Sequence, residues 1–351
     1  MTDAVLFVSA SILAWALVLG IRRWAVPLRL LDQPTQRSMH SQVTPRGGGI
    51  AIVAVTLIGL AVVANFGTLA DWPAFAGYLA GAMLIVAVSL VDDFRPLPAG
   101  LRLAAQVIAA AFVAAGFISQ SGLLVPAGHS VTISIVIGAG LLWIVGLTNA
   151  YNFMDGIDGL AATQGVVAGL GWAILGRATD QSSLAYLGLF VAAGCTGFLV
   201  YNWPPAKIFM GDVGSAFLGF TFAFITLASV RQLPRVAVVG LLLIWPFIFD
   251  TTLTLVRRLM RGENLLIAHR SHLYQRLVLA GWRQASVTLL YAVLALVAFA
   301  LGGLWLVTGS AVAAYSVIAA LVILSLGLLA VVIRAEHRVS RPADPRPLIG
   351  R

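Results

Sequence analysis

ASVTLLYAVLALVAFALGGLWLV (285–307) and AVAAYSVIAALVILSLGLLAVVI (311–333) run almost back to back, and neither contains a charged residue or a histidine. A helix needs about 20 consecutive apolar residues to cross the hydrocarbon core of a bilayer, and each run is long enough. A helix that is apolar all round must be buried in protein or in lipid. Working outward from this pair, further apolar runs fall at 3–21, 47–66, 75–91, 101–120, 130–148, 160–176, 183–201, 214–230 and 236–255. The expected fold is therefore all-α: a polytopic membrane protein with about 11 transmembrane helices, or ten if one short or glycine-interrupted run fails to span. No stretch is long enough for a separate soluble domain, so residues 1–351 read as a single integral membrane domain. The first run has no basic segment ahead of it and no small-residue cleavage site after it. It reads as a first span and not as a removable signal peptide.

Composition agrees. Hydrophobic residues make up 60% of the chain and charged residues only 10%, against about 25% charged in soluble domains; the mean hydropathy is +0.97. A soluble domain, a disordered chain and a disulfide scaffold are excluded. The single Cys195 lies within an apolar run and reads as a small buried hydrophobe.

The net charge of +9 has to be read by position. With the N-terminus outside, one set of connections comprises 22–46, 92–100, 149–159, 202–213, 256–284 and the tail 334–351. Of the 22 basic residues, only Arg177, Arg231 and Arg235 fall on the opposite side, which leaves 19 on this one, counting Arg102 at the edge of its span. Short loops rich in Lys and Arg stay cytoplasmic. The expected topology is N-terminus out and C-terminus in, so nucleic acid is not needed to explain the charge.

The same face collects the acids. Eleven of the 13 acidic residues are aspartate, the exceptions being Glu263 and Glu336, and Asp32, Asp92, Asp93, Asp155, Asp158 and Asp212 all fall in its loops. Aspartate is a poor helix former suited to caps, turns and metal sites. Asp92 and Asp93, ending the third run, repel one another, so one should hold its proton unless a cation is near; such a pair suits general-base work or a divalent cation. Asn149, Asn152, Asp155 and Asp158 recur every three residues, which on a helix places them on one face, and oxygen ligands of this kind suit Mg²⁺ together with phosphate oxygens. Gly211-Asp212-Val213-Gly214-Ser215 opens a span, where backbone N–H groups can meet an anion. Asp212 can hold a metal beside that anion, and Phe209 offers a flat apolar face. Gly47-Gly48-Gly49 lacks the Lys-Ser end of a nucleotide loop and reads as close helix packing or a flexible entrance. His269, His272 and Arg276 fall at i, i+3 and i+7, a single helical face on which imidazole and guanidinium groups can grip phosphates. Leu265, Leu266, Leu273 and Leu277 would give that segment an interfacial apolar side.

In order and spacing, Asp32-x-Pro-x-x-Arg37-x-x-His40 with Pro45-Arg46-Gly-Gly-Gly, Asp92-Asp93, Asn149-x-x-Asn152-x-x-Asp155-Gly-x-Asp158-Gly-Leu-Ala, Phe209-Met-Gly-Asp212-x-Gly-Ser and a histidine-rich last loop resemble the polyprenyl-phosphate N-acetylhexosamine-1-phosphate transferases. The superfamily includes phospho-N-acetylmuramoyl-pentapeptide transferase. The resemblance runs from about residue 32 to 277. It implies transfer of a sugar-1-phosphate from a UDP-N-acetylhexosamine to undecaprenyl phosphate with release of UMP, at the cytoplasmic face of a bacterial inner membrane. It implies Mg²⁺ as cofactor, with Mn²⁺ as a substitute, and leaves room for a homodimer. Asp212 and Asn152 would form the metal and pyrophosphate site. Asp155 and Phe209 would form the uridine pocket, with Asn149 among the substrate contacts. Asp92 would be the base that deprotonates the lipid phosphate, with Asp93 beside it and Asp158 completing the acidic set. His269, Arg270 and His272 would hold the pyrophosphate or sugar, and Arg46 and His40 the phosphates at the entrance. His269-Arg-Ser-His272 replaces the His-x-His-His run common among users of UDP-GlcNAc. It is more similar to the O-antigen initiating branch, which takes 6-deoxy donors such as FucNAc or QuiNAc. The muramoyl-pentapeptide branch is disfavoured, because its three-histidine run is missing.

A transporter of an anionic substrate would instead place ionisable groups near span centres. Most of these groups lie at the cytoplasmic ends; Asp250, inside the ninth run, is the exception.

Overall fold

A computed structural model of the chain describes residues 2–25, 27, 30–33, 39, 42–67, 72–121, 130–265, 267 and 269–339. The described chain is built of helices: α1 (Asp3–Ala25), α2 (Gly49–Ala64), α3 (Trp72–Phe94), α4 (Ala99–Ser121), α5 (Ser130–Phe153), α6 (Leu160–Ala178), α7 (Ser182–Asn202), α8 (Asp212–Gln232), α9 (Pro234–Leu242), α10 (Trp245–Met260), α11 (Leu273–Leu279), α12 (Gln284–Thr308) and α13 (Ala311–Val339). The described strands, β1 (Leu31–Asp32) and β2 (Thr44–Pro45), pair antiparallel in the first connection.

Each expected apolar run is helical, but the runs are not equal. Among the described residues, eight helices are long and apolar enough to cross a membrane: α1, α3, α4, α5, α7, α8, α12 and α13. The run 236–255 is not one straight helix, as the sequence led us to expect. It breaks into α9 and α10, bent by 72°, and counts as a ninth span if the pair is taken together. The cause is Pro246 in the first turn of α10, which has no N–H to donate to the carbonyl of the preceding turn and whose ring clashes with it. Gln164 of α6 donates its side-chain amide to the carbonyl of Leu243 at the break. Helix α2 is shorter, at 16 residues.

Burial sorts the helices into an inside and an outside. In α8, 83% of the spanning window is buried, and in α7 78%, whereas α1 and α13 bury 22% and 17%. Lipid tails are as apolar as leucine, so helices in a bilayer associate by close packing and not by escape from water. The contacts reflect this. Gly169 of α6 sits against the Gly188 carbonyl of α7, where a Cβ would come within 2.6 Å. Around α8, Tyr78 stacks on Phe224 at 4.5 Å, Phe75 meets Phe224 edge-on at 5.3 Å, and the Tyr78 and Thr221 hydroxyls lie 2.9 Å apart. Such ring pairs add about 0.5–1.5 kcal/mol each. Cys195 is fully buried among these helices, as expected. The central position of α8 places its first residue, Asp212, beside the ends of α3 and α5.

Candidate functional site

At the end of α3 the two adjacent carboxylates part company. Asp92 takes an ion pair from Arg102 of α4 at 3.0 Å and accepts the backbone N–H of Leu97. Asp93, 3% exposed, turns the other way and accepts the backbone N–H groups of Asp212 (3.0 Å) and Val213 (3.2 Å). It is the cap of α8, supplied from another helix, and its charge meets the positive end of the helix dipole. This corrects the expectation that these N–H groups await a substrate anion: a carboxylate of the protein already fills the place. Gly211 makes the approach feasible. Its φ is +77°, and a Cβ there would lie 2.6 Å from an Asp93 carboxylate oxygen.

The stripe of Asn149, Asn152, Asp155 and Asp158 does not stay on one helical face. Helix α5 ends at Phe153, and Asp155 and Asp158 lie in the turn that follows. Asn149 forms a reciprocal amide pair with Gln106 of α4. Asp158 accepts the N–H of Ala206 at 2.9 Å, while its own N–H goes to Gln284 at 2.8 Å. Asn202, at the end of α7, accepts the N–H of Gly159 and donates to the Ile208 carbonyl, so it joins this turn to the 203–211 segment. The Asp155 carboxyl is held well above the usual carboxylate range, first by burial and then by the charges of Asp212, Asp93 and Asp158.

The glycine run is a packing device. Gly48 and Gly49 donate their N–H groups to the carbonyls of Phe209 and Met210, and the Phe209 N–H returns to Pro45. A Cβ on Gly49 would sit 2.4 Å from Gly214. This close pairing sets Arg46 and Phe209 in the same cavity wall. His40, expected beside them, lies outside the described residues.

The last loop differs from expectation. The described residues between 261 and 272 are not helical and α11 begins at Leu273, so His269, His272 and Arg276 do not share a helical face. Leu273 and Leu277 are buried in the core and Leu265 is exposed; Leu266 lies outside the described residues. The two imidazoles are nonetheless neighbours, with ring centres 4.9 Å apart. Arg276 turns away to a two-point ion pair with Glu336 of α13 at 2.6 Å. His269 is pushed down to about 4, first by burial and then by the charges of His272 and Arg258. It is therefore uncharged at neutral pH.

Two adjacent cavities result. One, of about 260 Å³, is lined by Asp32, Arg46, Asp93, Asn152, Asp155, Asp158, Phe209 and Asp212, among others. The second, of about 560 Å³, is a largely aliphatic groove between α3, α4, α5 and the last loop, with Arg102, Gln106, Asn149, His269 and His272 in its walls. They share Asn152, Asp212 and Gln275. Arg102 also comes within 3.6 Å of Asp212. Arg270 belongs to the same loop, but neither set of lining residues includes it.

Comparison with known proteins bears on this arrangement. Residues 75–230 match glycosyl transferase family 4. The probable undecaprenyl-phosphate N-acetylglucosaminyl 1-phosphate transferase of Bacillus subtilis is 30% identical over 281 residues, covering 78% of this chain and 76% of that protein. The decaprenyl-phosphate N-acetylglucosaminephosphotransferase of Mycolicibacterium smegmatis is 31% identical over 318 residues, covering 81% and 76%. The chain belongs to glycosyl transferase family 4. A phospho-N-acetylmuramoyl-pentapeptide-transferase of Moorella thermoacetica is also similar, at 35% identity over 170 residues, or 48% of this chain and 51% of that protein.

The family-4 match at 75–230 takes in the aspartates of the smaller cavity except Asp32, and stops short of the last loop. Among the described residues, no three His, Cys, Asp or Glu side chains form a ready metal cage. Mg²⁺ usually takes only one or two protein carboxylates and fills its shell with water and substrate phosphates. A wall that gathers Asp212 and Asn152 with further carboxylates behind them fits an ion that arrives with a diphosphate. Sequence reasoning passed over Arg102, Gln106, Asn202 and Gln275; Gln106 and Asn202 each have a partner 43 residues away. The one available signal was a polar residue interrupting or ending an apolar run.

Proposed function

We propose that the protein transfers N-acetylhexosamine-1-phosphate from a UDP-sugar to undecaprenyl phosphate, releasing UMP and initiating a lipid-linked surface glycan. The observation that carries this reading is the join between a carboxylate-rich cavity and an aliphatic groove at Asn152, Asp212 and Gln275. A donor that is polar and anionic and an acceptor that is a lipid phosphate must meet at such a boundary. In this reading the smaller cavity takes the nucleotide, with Phe209 against the base and Arg46 near the phosphates, and the groove takes the prenyl chain. Asp92, held by Arg102, is the base that frees an oxygen of the lipid phosphate for attack. That oxygen forms a bond to the β-phosphorus, the bond from this phosphorus to the bridging oxygen breaks, and UMP leaves with the oxygen. Asp212 and Asn152 would hold Mg²⁺, which when bound neutralises the diphosphate. Positioning and charge neutralisation supply most of the rate in phosphoryl transfer; from the last loop, Arg270 would contribute charge, and His269 and His272 positioning.

The reading includes about 11 spans, with the N-terminus outside, the C-terminus inside and the site facing the cytoplasm, in keeping with the distribution of basic residues. For the donor, the names of the relatives favour UDP-GlcNAc, whereas the His269-Arg-Ser-His272 segment favours a 6-deoxy sugar of the O-antigen branch. One assay tests the function and separates the donors. Purified protein receives undecaprenyl phosphate and a panel of UDP-N-acetylhexosamines, with UMP release followed. Transfer from one donor, abolished by EDTA and restored by Mg²⁺, is expected. No transfer from any donor overturns the reading, and turnover that resists EDTA overturns the metal.

A further inference from the structure

Asp250 is fully buried in α10, lies outside both cavities, and takes no part in the chemistry described above. A carboxylate buried at this depth is costly unless its oxygens are fully engaged, and here they are. One oxygen accepts the backbone N–H of Leu273 at 2.8 Å, Nδ1 of His272 at 3.2 Å and the hydroxyl of Thr254 at 3.2 Å. The other accepts the hydroxyl of Tyr291 at 2.6 Å and the N–H of Tyr274 at 3.1 Å. One side chain thus gathers α10, the last loop, α11 and α12.

Two of these partners lead back to the site. A carboxylate can only accept, so the hydrogen of His272 sits on Nδ1, and Nε2 is the ring nitrogen left for a ligand. The same arrangement orients histidines through a carboxylate at metal and catalytic sites. The His272 ring lies in the groove wall beside His269 and Phe153. Tyr274, fixed at its backbone by Asp250, reaches with its hydroxyl to the Phe153 carbonyl at 3.0 Å. That carbonyl is where α5 gives way to the turn carrying Asp155 and Asp158. The turn is fitted closely to this hydroxyl, since a Cβ on Gly156 would lie 2.0 Å from it.

We propose that Asp250 is the positioning residue of the transfer site, orienting His272 toward the groove and, through Tyr274, setting the end of α5 that presents Asn152 and Asp155. The inference rests on the sugar-phosphate transfer reading above and names a residue through which that site is held.

The test is a double-mutant cycle in full-length protein, measuring kcat, both KM values and melting temperature for Asp250→Asn, His272→Gln and the pair. If Asp250 acts through His272, Asp250→Asn lowers kcat by about 10–100-fold, the range found when a partner orienting a functional histidine is removed, with the UDP-sugar KM changed less than about threefold. On the His272→Gln background the same change then costs no more than about threefold, because coupled residues are not additive. Equal losses on both backgrounds, or a lower melting temperature with wild-type kcat, overturn the proposal. Should Asp250→Asn fail to accumulate, Tyr274→Phe decides: it removes only the hydroxyl contact to Phe153, and kcat about tenfold lower at unchanged melting temperature is expected, whereas wild-type kcat overturns the relay. Wild-type protein that transfers from no donor overturns the functional reading and this inference with it; an active wild type with multiplicative losses overturns this inference alone.

Discussion

The two cavities share three residues and little else. In the smaller, two of the five aspartates are held by backbone donors: Asp93 by the start of α8 and Asp158 by Ala206. In the groove, polar groups are held by other side chains: Gln106 by Asn149, Arg102 by Asp92, and His272 by Asp250. Backbone anchors fix a charge to a helix end and tolerate few alternatives. Side-chain pairs can be exchanged as pairs. The difference teaches that the acidic cavity is the conservative half of the site and the groove the adaptable half.

The comparison breaks first at the shared wall. Asp212→Ala should lower UMP release by at least about 10³-fold, with melting temperature and elution volume close to wild type, because the change touches both cavities without removing a cap. Retained activity would disconnect the cavities from the chemistry. A crossed pair sharpens the comparison. Phe209→Leu removes a stacking face worth about 1–3 kcal/mol per base and should raise the KM for the UDP-sugar about 30-fold, leaving the lipid KM within about twofold. Gln106→Leu should do the reverse, raising the polyprenyl-phosphate KM about tenfold. If both variants change the same KM, the division of labour is wrong.

Protons give the next test. Because the Asp155 carboxyl is raised by burial and by its acidic neighbours, protons compete with a divalent cation to a higher pH than usual. The Kd for Mg²⁺, measured by calorimetry, should fall as pH rises from 5 to 8, by at most about tenfold per unit for one displaced proton. The smallest effect is on stability. An acid whose folded pKa is raised destabilises the fold as pH climbs from the ordinary carboxylate value, about 4, to the raised one. Asp155→Asn should therefore raise the melting temperature of the cation-free protein by about 2 °C at pH 8, with the difference shrinking as pH is lowered towards about 4.

Much of this was legible in the sequence, for local reasons. Apolar runs without charges mark helices wherever they occur, and 285–333 forms two helices as written. The gathering of aspartates was legible because the motifs follow every second run, which puts them on one side. Less legible was anything decided by a distant partner. Asp92 and Asp93 are adjacent, yet one answers to Arg102 and the other to α8, and no spacing rule separates them. The three-residue repeat 149–158 pointed to one helical face, but the chain leaves the helix at Phe153 and two of the four side chains act from a turn. Asp250 was visible as an acid in an apolar run, but four of its five donors come from 272–274 and Tyr291, more than 20 residues on.

The hydrogen bonds between 45–49 and 209–210 run entirely through main-chain atoms. An alanine scan of the cavity would therefore leave them in place at every position except the glycines, and neighbouring side chains can drift without loosening them. Arg46 and Phe209 behave as parts of one moulded piece, whose spacing is inherited through the backbone and not through the identity of its side chains. Donor preference can then be retuned by point substitutions on a frame that itself stays put.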